Sequence, residues 1–467
     1  MSERKPLSNI EKSVDLYDFI LKLYRFLDSV DIADLYKAYH SYIKEKEKKG
    51  ADKNELRKLG ELVDYLSFSH TIGFLSWKLS WLEMATSTEM TLPVFCLCTL
   101  TRIDAIIKSI AFEKDSFRIF EGPMFTDDVY FLYLKKPGKT FFSASFKEEK
   151  IYPGRTTVSY LGDSLNTQFQ NFVVLKKDNL NDYVPLVYYY SEKNYKKKLG
   201  SGSIKVAVVP FLESPWFRSH LNHDAQTFSV SYGRYKTTLI NQAFLYYVAQ
   251  AEENGANIII FPEIAMSSQT GKFLEDALIS APKTFEHLKL CFFGSAWSDR
   301  SNISLLMSSS GTVLASQKKK VPYRLYHNDV YYREDIKYDN EVILIDIESV
   351  GRIAYLICAD INDGKIQSLI KLMEVDFVFV SSYTKSTETM VKVADSHASL
   401  NAMSTVLCNA RSAKDPEKPE KHSNAFCVVP KANNKKLSSK MISFITDDSG
   451  NHSRDIFYFD LQFNSCK

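Results

Sequence analysis

The stretch Arg352–Asp363, RIAYLICADIND, joins an apolar run to a nucleophile. The run is rich in β-formers and carries no charge after Arg352, which is the pattern of a buried strand. Cys358 stands where the run ends, and Asp360 follows two residues later. Catalytic groups favour strand ends, because the strand is rigid while the side chain can still reach a cleft. The stretch therefore predicts a reactive cysteine at the end of a buried strand.

Two further stretches have the same form. In Ile258–Ala265, IIIFPEIA, an apolar strand leads to Glu263, and in Thr312–Tyr323, TVLASQKKKVPY, a short strand leads to three lysines. A thiol is mostly protonated at neutral pH, so a nucleophilic cysteine needs a base or a nearby cation. Glu263 is the candidate base. A lysine and the backbone N–H of Ala359 are candidate donors to an oxyanion.

The surrounding sequence predicts alternating strands and helices. Ile204–Pro210, IKVAVVP, is typical of a buried strand, residues 235–253 have the apolar spacing of an amphipathic helix, and Asn257–Phe261 is typical of the next strand. The order strand, helix, strand indicates a layered α/β fold. We assign residues 204–463 to one domain of this kind.

The first 195 residues differ in pattern and contain no catalytic constellation that we recognise. Residues 1–115 predict helices, and residues 116–195 predict short strands rich in Tyr, Phe, Val and Thr. Residues 196–203, KKKLGSGS, have the composition of a flexible linker. An α+β region therefore precedes the α/β domain. Binding, oligomerisation or docking of a protein partner is the role that we expect for it.

Composition narrows the class of protein. A chain of 467 residues with 45% hydrophobic and 25% charged residues is typical of a soluble protein with two or three domains. The net charge of +3 gives no case for nucleic-acid or membrane binding as a whole-chain property, and nucleic-acid binding stays open. There is no apolar segment of about 20 residues and no secretory signal pattern. The seven scattered cysteines do not form a disulfide framework, so we expect a cytoplasmic protein with reduced thiols.

The ordered set of motifs resembles that of the nitrilase, or carbon–nitrogen hydrolase, superfamily. The resemblance covers about residues 203–463 and does not extend to the first 200 residues. Its segments are Gly255–Glu263, Ser301–Gly311, Lys319–Pro322, Cys358–Asp360, Asp376–Ser382, Leu400–Asn409, Ser423–Pro430 and Ile456–Leu461.

The resemblance implies a four-layer α-β-β-α sandwich, homo-oligomers that commonly form through helices, and no metal or organic cofactor. It also implies a triad of Glu263, Lys319 and Cys358, with Ala359 and Asp360 in support. One branch of the family writes the lysine motif K-x-x-P, which selects Lys319. Lys318 and Lys320 stay open, because the alignment can shift by one residue.

Two departures from the family pattern concern the site. Ala359 stands where the family has an aromatic or acidic residue. Many members carry a second glutamate seven or eight residues after the lysine, where this sequence has Tyr326 and His327. Glu334 or Asp329 is then the expected substitute.

The expected function is hydrolysis of a non-peptide carbon–nitrogen bond through a cysteine thioester. A small-molecule amide is favoured over a nitrile, and acyl transfer to an amine stays open. The alternative is a nitrilase-fold binding or assembly module with little or no turnover, for which a prokaryotic antiviral defence system is one setting. No membrane partner is expected.

Overall fold

The computed structural model describes residues 4–31, 33–35, 37–39, 41–42, 54–64, 72–112, 125–134, 169, 172–180, 183–190, 203–211, 217–232, 237–281, 285–347, 350–413, 423–433, 436–444 and 456–462. The chain divides into two compact units. The first lies within residues 1–181, and residue 182 begins the main part of the second. No helix in the described ranges is long and apolar enough to cross a membrane.

The first unit combines helices with a small sheet. Its helices are α1 (Arg4–Glu11), α2 (Leu16–Asp28), α3 (Asn54–Asp64), α4 (Ile72–Ser87) and α5 (Leu92–Phe112), and its antiparallel sheet has the order β1 (Phe125–Thr126), β2 (Tyr130–Leu134), β3 (Phe172–Lys176). Phe19 of α2 packs edge-on against Trp77 and Trp81 of α4, with ring centroids 5.1 and 5.0 Å apart. The indole N–H of Trp81 donates to the hydroxyl of Thr99 at 2.9 Å, which satisfies a buried polar group.

The second unit contains three sheets and four described α-helices. Its strands are β4 (Val184–Tyr190), β5 (Ser203–Val208), β6 (Phe217–Asn222), β7 (Thr227–Tyr232), β8 (Ile258–Ile260), β9 (Leu290–Ser298), β10 (Ser301–Ser308), β11 (Val313–Lys318), β12 (Arg324–His327), β13 (Val330–Glu334), β14 (Glu341–Ile347), β15 (Gly351–Ile357), β16 (Phe377–Ser382), β17 (Ser404–Asn409), β18 (Ala425–Asn433), β19 (Lys436–Phe444) and β20 (Phe457–Gln462). Its helices are α6 (Thr237–Glu253), α7 (Ser268–Ile279), α8 (Gly364–Leu372) and α9 (Glu388–Asn401).

Two of these sheets share one apolar core. The six-stranded sheet has the order β11-β10-β9-β8-β5-β20, and the seven-stranded sheet has the order β19-β18-β17-β16-β15-β14-β4. Phe292 of β9 meets Tyr355 of β15 and Phe379 of β16, with ring centroids 4.6 and 5.3 Å apart. Buried side chains from both sheets belong to the same cluster, so the two sheets face each other.

Helices cover the six-stranded sheet on its other face. Phe244 of α6 packs against Phe261 and Phe293, which belong to a second buried cluster together with Leu274 of α7. On the seven-stranded sheet, α9 packs against β17, β18 and β19. The third sheet has the order β12-β13-β7-β6. The mixed α/β architecture expected from the sequence is confirmed.

The division between the units lies ahead of the expected linker. Strand β4 pairs in parallel with β14, from Val184 opposite Glu341 to Tyr190 opposite Ile347. Its residues fall in the sequence region 116–195, yet they extend the sheet of the second unit, because the edge of β14 offers partners for their backbone groups. Of the linker 196–203, only Ser203 is described, as the first residue of β5.

Candidate active site

Three chain segments that follow strands bring the expected triad together. Glu263 lies in the turn after β8, Lys319 directly follows β11, and Cys358 directly follows β15. The Lys319 Nζ lies 2.7 Å from Oε1 of Glu263, and both side chains are almost fully buried. The Cys358 thiol is close enough to both groups that the charge of Glu263 raises its pKa and the charge of Lys319 lowers it. The base, the cation and the nucleophile of the sequence hypothesis therefore meet in one buried cluster.

A second glutamate joins this cluster. Glu334 on β13 has Oε2 2.7 Å from the Lys319 Nζ, and the same oxygen accepts from the N–H of Tyr323 at 2.8 Å. The other candidate, Asp329, is exposed and accepts from the hydroxyl of Tyr326 at 2.8 Å. Of the two acidic residues considered in the sequence, Glu334 is the one beside the lysine.

The three consecutive lysines have different partners. Lys318 lies 3.1 Å from Asp339, and the ammonium of Lys320 donates to the same carboxylate. Lys319, between them, is directed to Glu263 instead. Neighbouring side chains of an extended segment point to opposite sides, which separates Lys319 from both neighbours. Of the three lysines, Lys319 is the one whose ammonium lies beside Glu263.

Asn302 links the two glutamates, and sequence reasoning gave it no role. Its Nδ2 donates to Glu263 at 2.9 Å and to Glu334 at 3.2 Å, while its backbone carbonyl accepts from the N–H of Lys319 at 2.8 Å. A weak signal existed in the sequence, because Asn302 belongs to the motif segment Ser301–Gly311; the structure shows that it is buried within the strand β10. Such a group needs hydrogen-bond partners, and here the partners are catalytic candidates.

The turn at Cys358 has a strained backbone. Cys358 has φ 51°, in the left-handed region, and opens a short 3-10 helix that runs to Asn362. The Ser382 hydroxyl donates to its Sγ at 3.5 Å, and the N–H of Tyr383 donates to Oε2 of Glu263 at 3.0 Å. A residue with a Cβ is uncommon at positive φ, and such strain concentrates at functional sites.

Burial and neighbouring charges decide the protonation states. Burial, reinforced by the negative Glu263, raises the pKa of the Cys358 thiol to about 12, so the resting thiol is neutral. Burial also raises the pKa of Glu263, with Glu334 adding to the rise and Lys319 opposing it. Burial disfavours the ammonium of Lys319, but the two glutamates outweigh that cost and raise its pKa well above the usual value. Lys319 therefore keeps its proton beside Glu263 and Glu334.

Asp360 supports the turn instead of joining the cluster. Its Oδ1 accepts from the N–H groups of Lys320 at 2.9 Å and Val321 at 2.8 Å, which ties the segment after β11 to the cysteine turn. Burial raises the pKa of Asp360 to about 7. Ala359 is half-buried beside Cys358 near the start of the short helix, where backbone N–H groups have no partner within the helix.

Comparison with known proteins gives structural matches alone. No family model matches the chain, and no curated protein matches it. The solved structures that match it include members of the nitrilase superfamily.

One such structure is Nit3 from Saccharomyces cerevisiae, a member of branch 10 of the nitrilase superfamily. It is 15% identical over 53% of this chain and 92% of its own, with a TM-score of 0.36. The NitFhit protein of C. elegans is 15% identical over 52% of this chain, which spans 61% of that protein, with a TM-score of 0.35. An amidase from Nesterenkonia sp. is 13% identical over 53% of this chain and 92% of its own, with a TM-score of 0.34.

Proposed function

We propose that residues 204–463 form a nitrilase-type α-β-β-α sandwich that hydrolyses a small-molecule amide through a thioester on Cys358. One observation carries this proposal: the Lys319 Nζ lies 2.7 Å from both Glu263 and Glu334, in a buried cluster where Glu263 and Lys319 both act on the pKa of the Cys358 thiol. Burying four ionisable groups together costs free energy that apolar side chains would not cost. Clusters of this kind in buried sites favour a catalytic role.

Glu263 is the general base for the first half of the reaction. It takes the proton of the Cys358 thiol as the sulfur attacks the amide carbonyl carbon. Its raised pKa makes it a stronger base than an exposed glutamate. The carbonyl oxygen gains negative charge, which Lys319 and the N–H of Ala359 stabilise. The carbon–nitrogen bond then breaks, and Glu263 gives its proton to the departing amine.

Water completes the cycle. Glu263, again ionised, takes a proton from a water molecule that attacks the thioester carbonyl. The carbon–sulfur bond breaks, the carboxylic acid leaves, and the proton on Glu263 returns to the sulfur. Glu334 and Asn302 keep the lysine and the base in place during both halves, because each contacts them directly or through one side chain. Atoms and charges balance over the cycle, which consumes one water and one amide.

The proton transfers of this mechanism suit an amide substrate better than a nitrile. The leaving amine must receive a proton as the carbon–nitrogen bond breaks, and protonated Glu263 stands beside the sulfur to supply it. A nitrile gives no leaving amine in its first attack. An amine that replaces water in the second half would convert the same site to acyl transfer.

Assembly and location form part of the proposal. We propose a homo-oligomer formed through the second unit, supported by exposed apolar side chains on α6 and α7. For the first unit we propose a protein-docking role, supported by Leu75 and Leu79, exposed one turn apart on α4. A cytoplasmic location agrees with the six described cysteines, all of which are free thiols.

Site-resolved alkylation tests the nucleophile before any substrate is known. The protein is treated with iodoacetamide at neutral pH, and labelling of each cysteine is followed by mass spectrometry in wild type and in Glu263→Gln. We expect Cys358 to label at least about tenfold faster than Cys291 or Cys427, which are equally buried but have no base beside them among the described residues. Glu263→Gln should remove that advantage.

A screen of small amides follows, with release of amine as the readout and Cys358→Ala as the inactive control. Equal and slow labelling of Cys358 in both proteins would contradict the proposal. The binding-module alternative would then account for the fold without turnover.

A further inference from the structure

The four-stranded sheet β12-β13-β7-β6 has one face that the proposed chemistry does not use. Its inner face is apolar, where Phe228 and Tyr332 pack with Trp297 in a separate buried cluster. Side chains alternate across a strand, so Tyr331 and Arg333, on either side of Tyr332, point the other way. Both are exposed. The outer face of the sheet is therefore a solvent-facing surface with its own composition.

That outer face combines arginines with tyrosines. The strand register places Arg324 directly opposite Arg333, and Tyr326 directly opposite Tyr331. Arg218 stands on β6 at the far side of the same sheet, opposite Ser231. Small polar side chains and one histidine occupy the remaining outward positions: Thr227, Ser229, Ser231, His220 and Asn222.

The arginines of this face have no acidic partner among the described residues of its four strands; an acidic side chain beside the face is Asp329, in the turn between β12 and β13, which accepts from the hydroxyl of Tyr326. Among the described residues of these four strands the acidic one is Glu334, whose side chain is buried on the inner side at Lys319. In the part of the chain that the structure describes, Arg218, Arg324 and Arg333 form no ion pair. Like charges directly opposite on a sheet are destabilising. The arrangement becomes favourable when a polyanion lies across the strands.

The two exposed tyrosines of this face indicate which class of polyanion it binds. Tyr326 and Tyr331 are 56% and 63% exposed, and their ring centroids lie 4.8 Å apart. Two adjacent exposed rings offer a flat apolar surface on which nucleobases stack, while arginines beside them bind phosphates. A nucleic-acid duplex keeps its base faces inside the stack. An acidic peptide would use the arginines but has no need of the rings.

We propose that the outer face of this sheet binds single-stranded nucleic acid. The rings of Tyr326 and Tyr331 stack on bases, and Arg324, Arg333 and Arg218 hold the phosphate backbone along the sheet. This binding surface is separate from the amide chemistry, since the side chains that form it lie on the opposite face from Glu334.

Fluorescence anisotropy of the full chain tests the proposal. The probes are a fluorescein-labelled 20-nucleotide single strand of mixed sequence, as DNA and as RNA, and the same sequence as a DNA duplex. We expect both single strands to bind more tightly than the duplex. The logarithm of the affinity should fall with the logarithm of salt concentration by about 0.7 per phosphate contact.

Two double variants separate charge from stacking. Arg324→Thr/Arg333→Thr should weaken binding at least about tenfold and reduce the salt slope by about 1.4, because two phosphate contacts are lost. Tyr326→Val/Tyr331→Val should weaken binding at least about fivefold and leave the salt slope unchanged, because stacking releases no counterions. Valine and threonine are favourable in strands, so the sheet is retained. Arg333→Thr could disturb its neighbour Glu334, so the role of positive charge is also tested with Arg218→Thr, which lies on a strand without an active-site residue.

The matched control is Arg57→Thr/Lys392→Thr, which removes the same charge from exposed positions on α3 and α9. Its affinity should equal that of wild type. Absence of binding at low salt, or equal losses in the control and the arginine variant, would overturn the proposal. A polyglutamate peptide that displaces the strand as well as unlabelled oligonucleotide does, with the tyrosine variant unchanged, would identify a surface for acidic proteins instead.

Discussion

At Lys319 the energetics of folding and of catalysis oppose each other. An ammonium in a dry interior is costly, and two carboxylates beside it add their own desolvation. The structure balances these charges with direct hydrogen bonds from Asn302 and from the backbone N–H groups of Tyr323 and Tyr383. Every contact that steadies a carboxylate in this way also fixes the position of an atom that the proposed reaction needs.

Asn302→Ala should shift the pH at which Glu263 ionises. Nδ2 of Asn302 donates to the ionised carboxylate at 2.9 Å, so its removal destabilises the charged form and raises the pKa of Glu263. Alkylation of Cys358 requires ionised Glu263. Its rate profile should therefore have an acidic limb at higher pH in the variant, so that at a pH on that limb the variant is alkylated more slowly than wild type.

The control for this prediction is Asn401→Ala, at the C-terminal end of α9 and half-buried. It should leave the acidic limb where wild type has it. A uniform loss of rate at every pH in Asn302→Ala, with the limb unmoved, would show that Asn302 supports only the fold.

Sequence reasoning foresaw the residues at strand ends and missed those held by non-local contacts. Glu263 and Cys358 follow apolar runs, so their strands could be read from local composition. The motif limited the candidate lysine to three consecutive residues. Their partners could not be predicted, because the direction of each side chain depends on how the whole segment is placed. Asn302 was missed because its role exists only once β10 lies beside Glu334.

The same distinction holds for the secondary-structure elements. Apolar runs predicted β5, β8 and β15, which are buried along most of their length. The assignment of β4 to the second unit was not foreseen, because its partner β14 lies far along the chain. Arg352 heads the decisive stretch, yet its two hydrogen bonds to Asp346 depend on the pairing of β14 with β15.

Helix α9 carries a buried titratable group against the seven-stranded sheet. His397 is 2% exposed, its Nδ1 lies 3.5 Å from the hydroxyl of Thr405 on β17, and in the described part of the chain its Nε2 has no hydrogen-bond partner. Burial lowers the pKa of His397 from 6.5 to about 4. The folded protein therefore holds the neutral ring, whereas the unfolded chain protonates near its ordinary pKa.

His397→Met should flatten the acid dependence of stability. Because the pKa of His397 is lower in the folded protein than in the unfolded chain, the unfolded chain binds a proton first as the pH falls. The neutral ring therefore costs no stability above about pH 6.5, and stability is lost as the pH falls toward 4. The shift corresponds to about 3 kcal/mol in the free energy of unfolding. Urea unfolding at pH 7 and pH 4.5 should show wild type losing more stability than the variant, by up to that amount. The exposed His327→Met should lose as much as wild type, and an equal loss in all three proteins would rule out His397 as the cause.

At the scale of the whole molecule, two neighbouring helices of the second unit carry large exposed apolar side chains. Leu239 and Tyr246 on α6 are 67% and 59% exposed and lie two turns apart on one face. Ile279, at the end of the adjacent α7, is 62% exposed. Large exposed apolar side chains grouped in this way mark interaction sites in soluble proteins. We propose that a second copy of the chain covers these side chains in the homo-oligomer.

Leu239→Glu/Tyr246→Glu should dissociate that oligomer. Two like charges on the same helix face would meet their symmetry mates across a two-fold interface, where desolvation and repulsion act together. Light scattering during size-exclusion chromatography should report at least two copies for wild type and one for the variant. Leu400→Glu, at a residue 75% exposed on α9, introduces a charge outside this surface and should keep the wild-type mass. A wild-type mass of one chain at micromolar concentration would contradict the homo-oligomer and leave the exposed face of α6 to another partner.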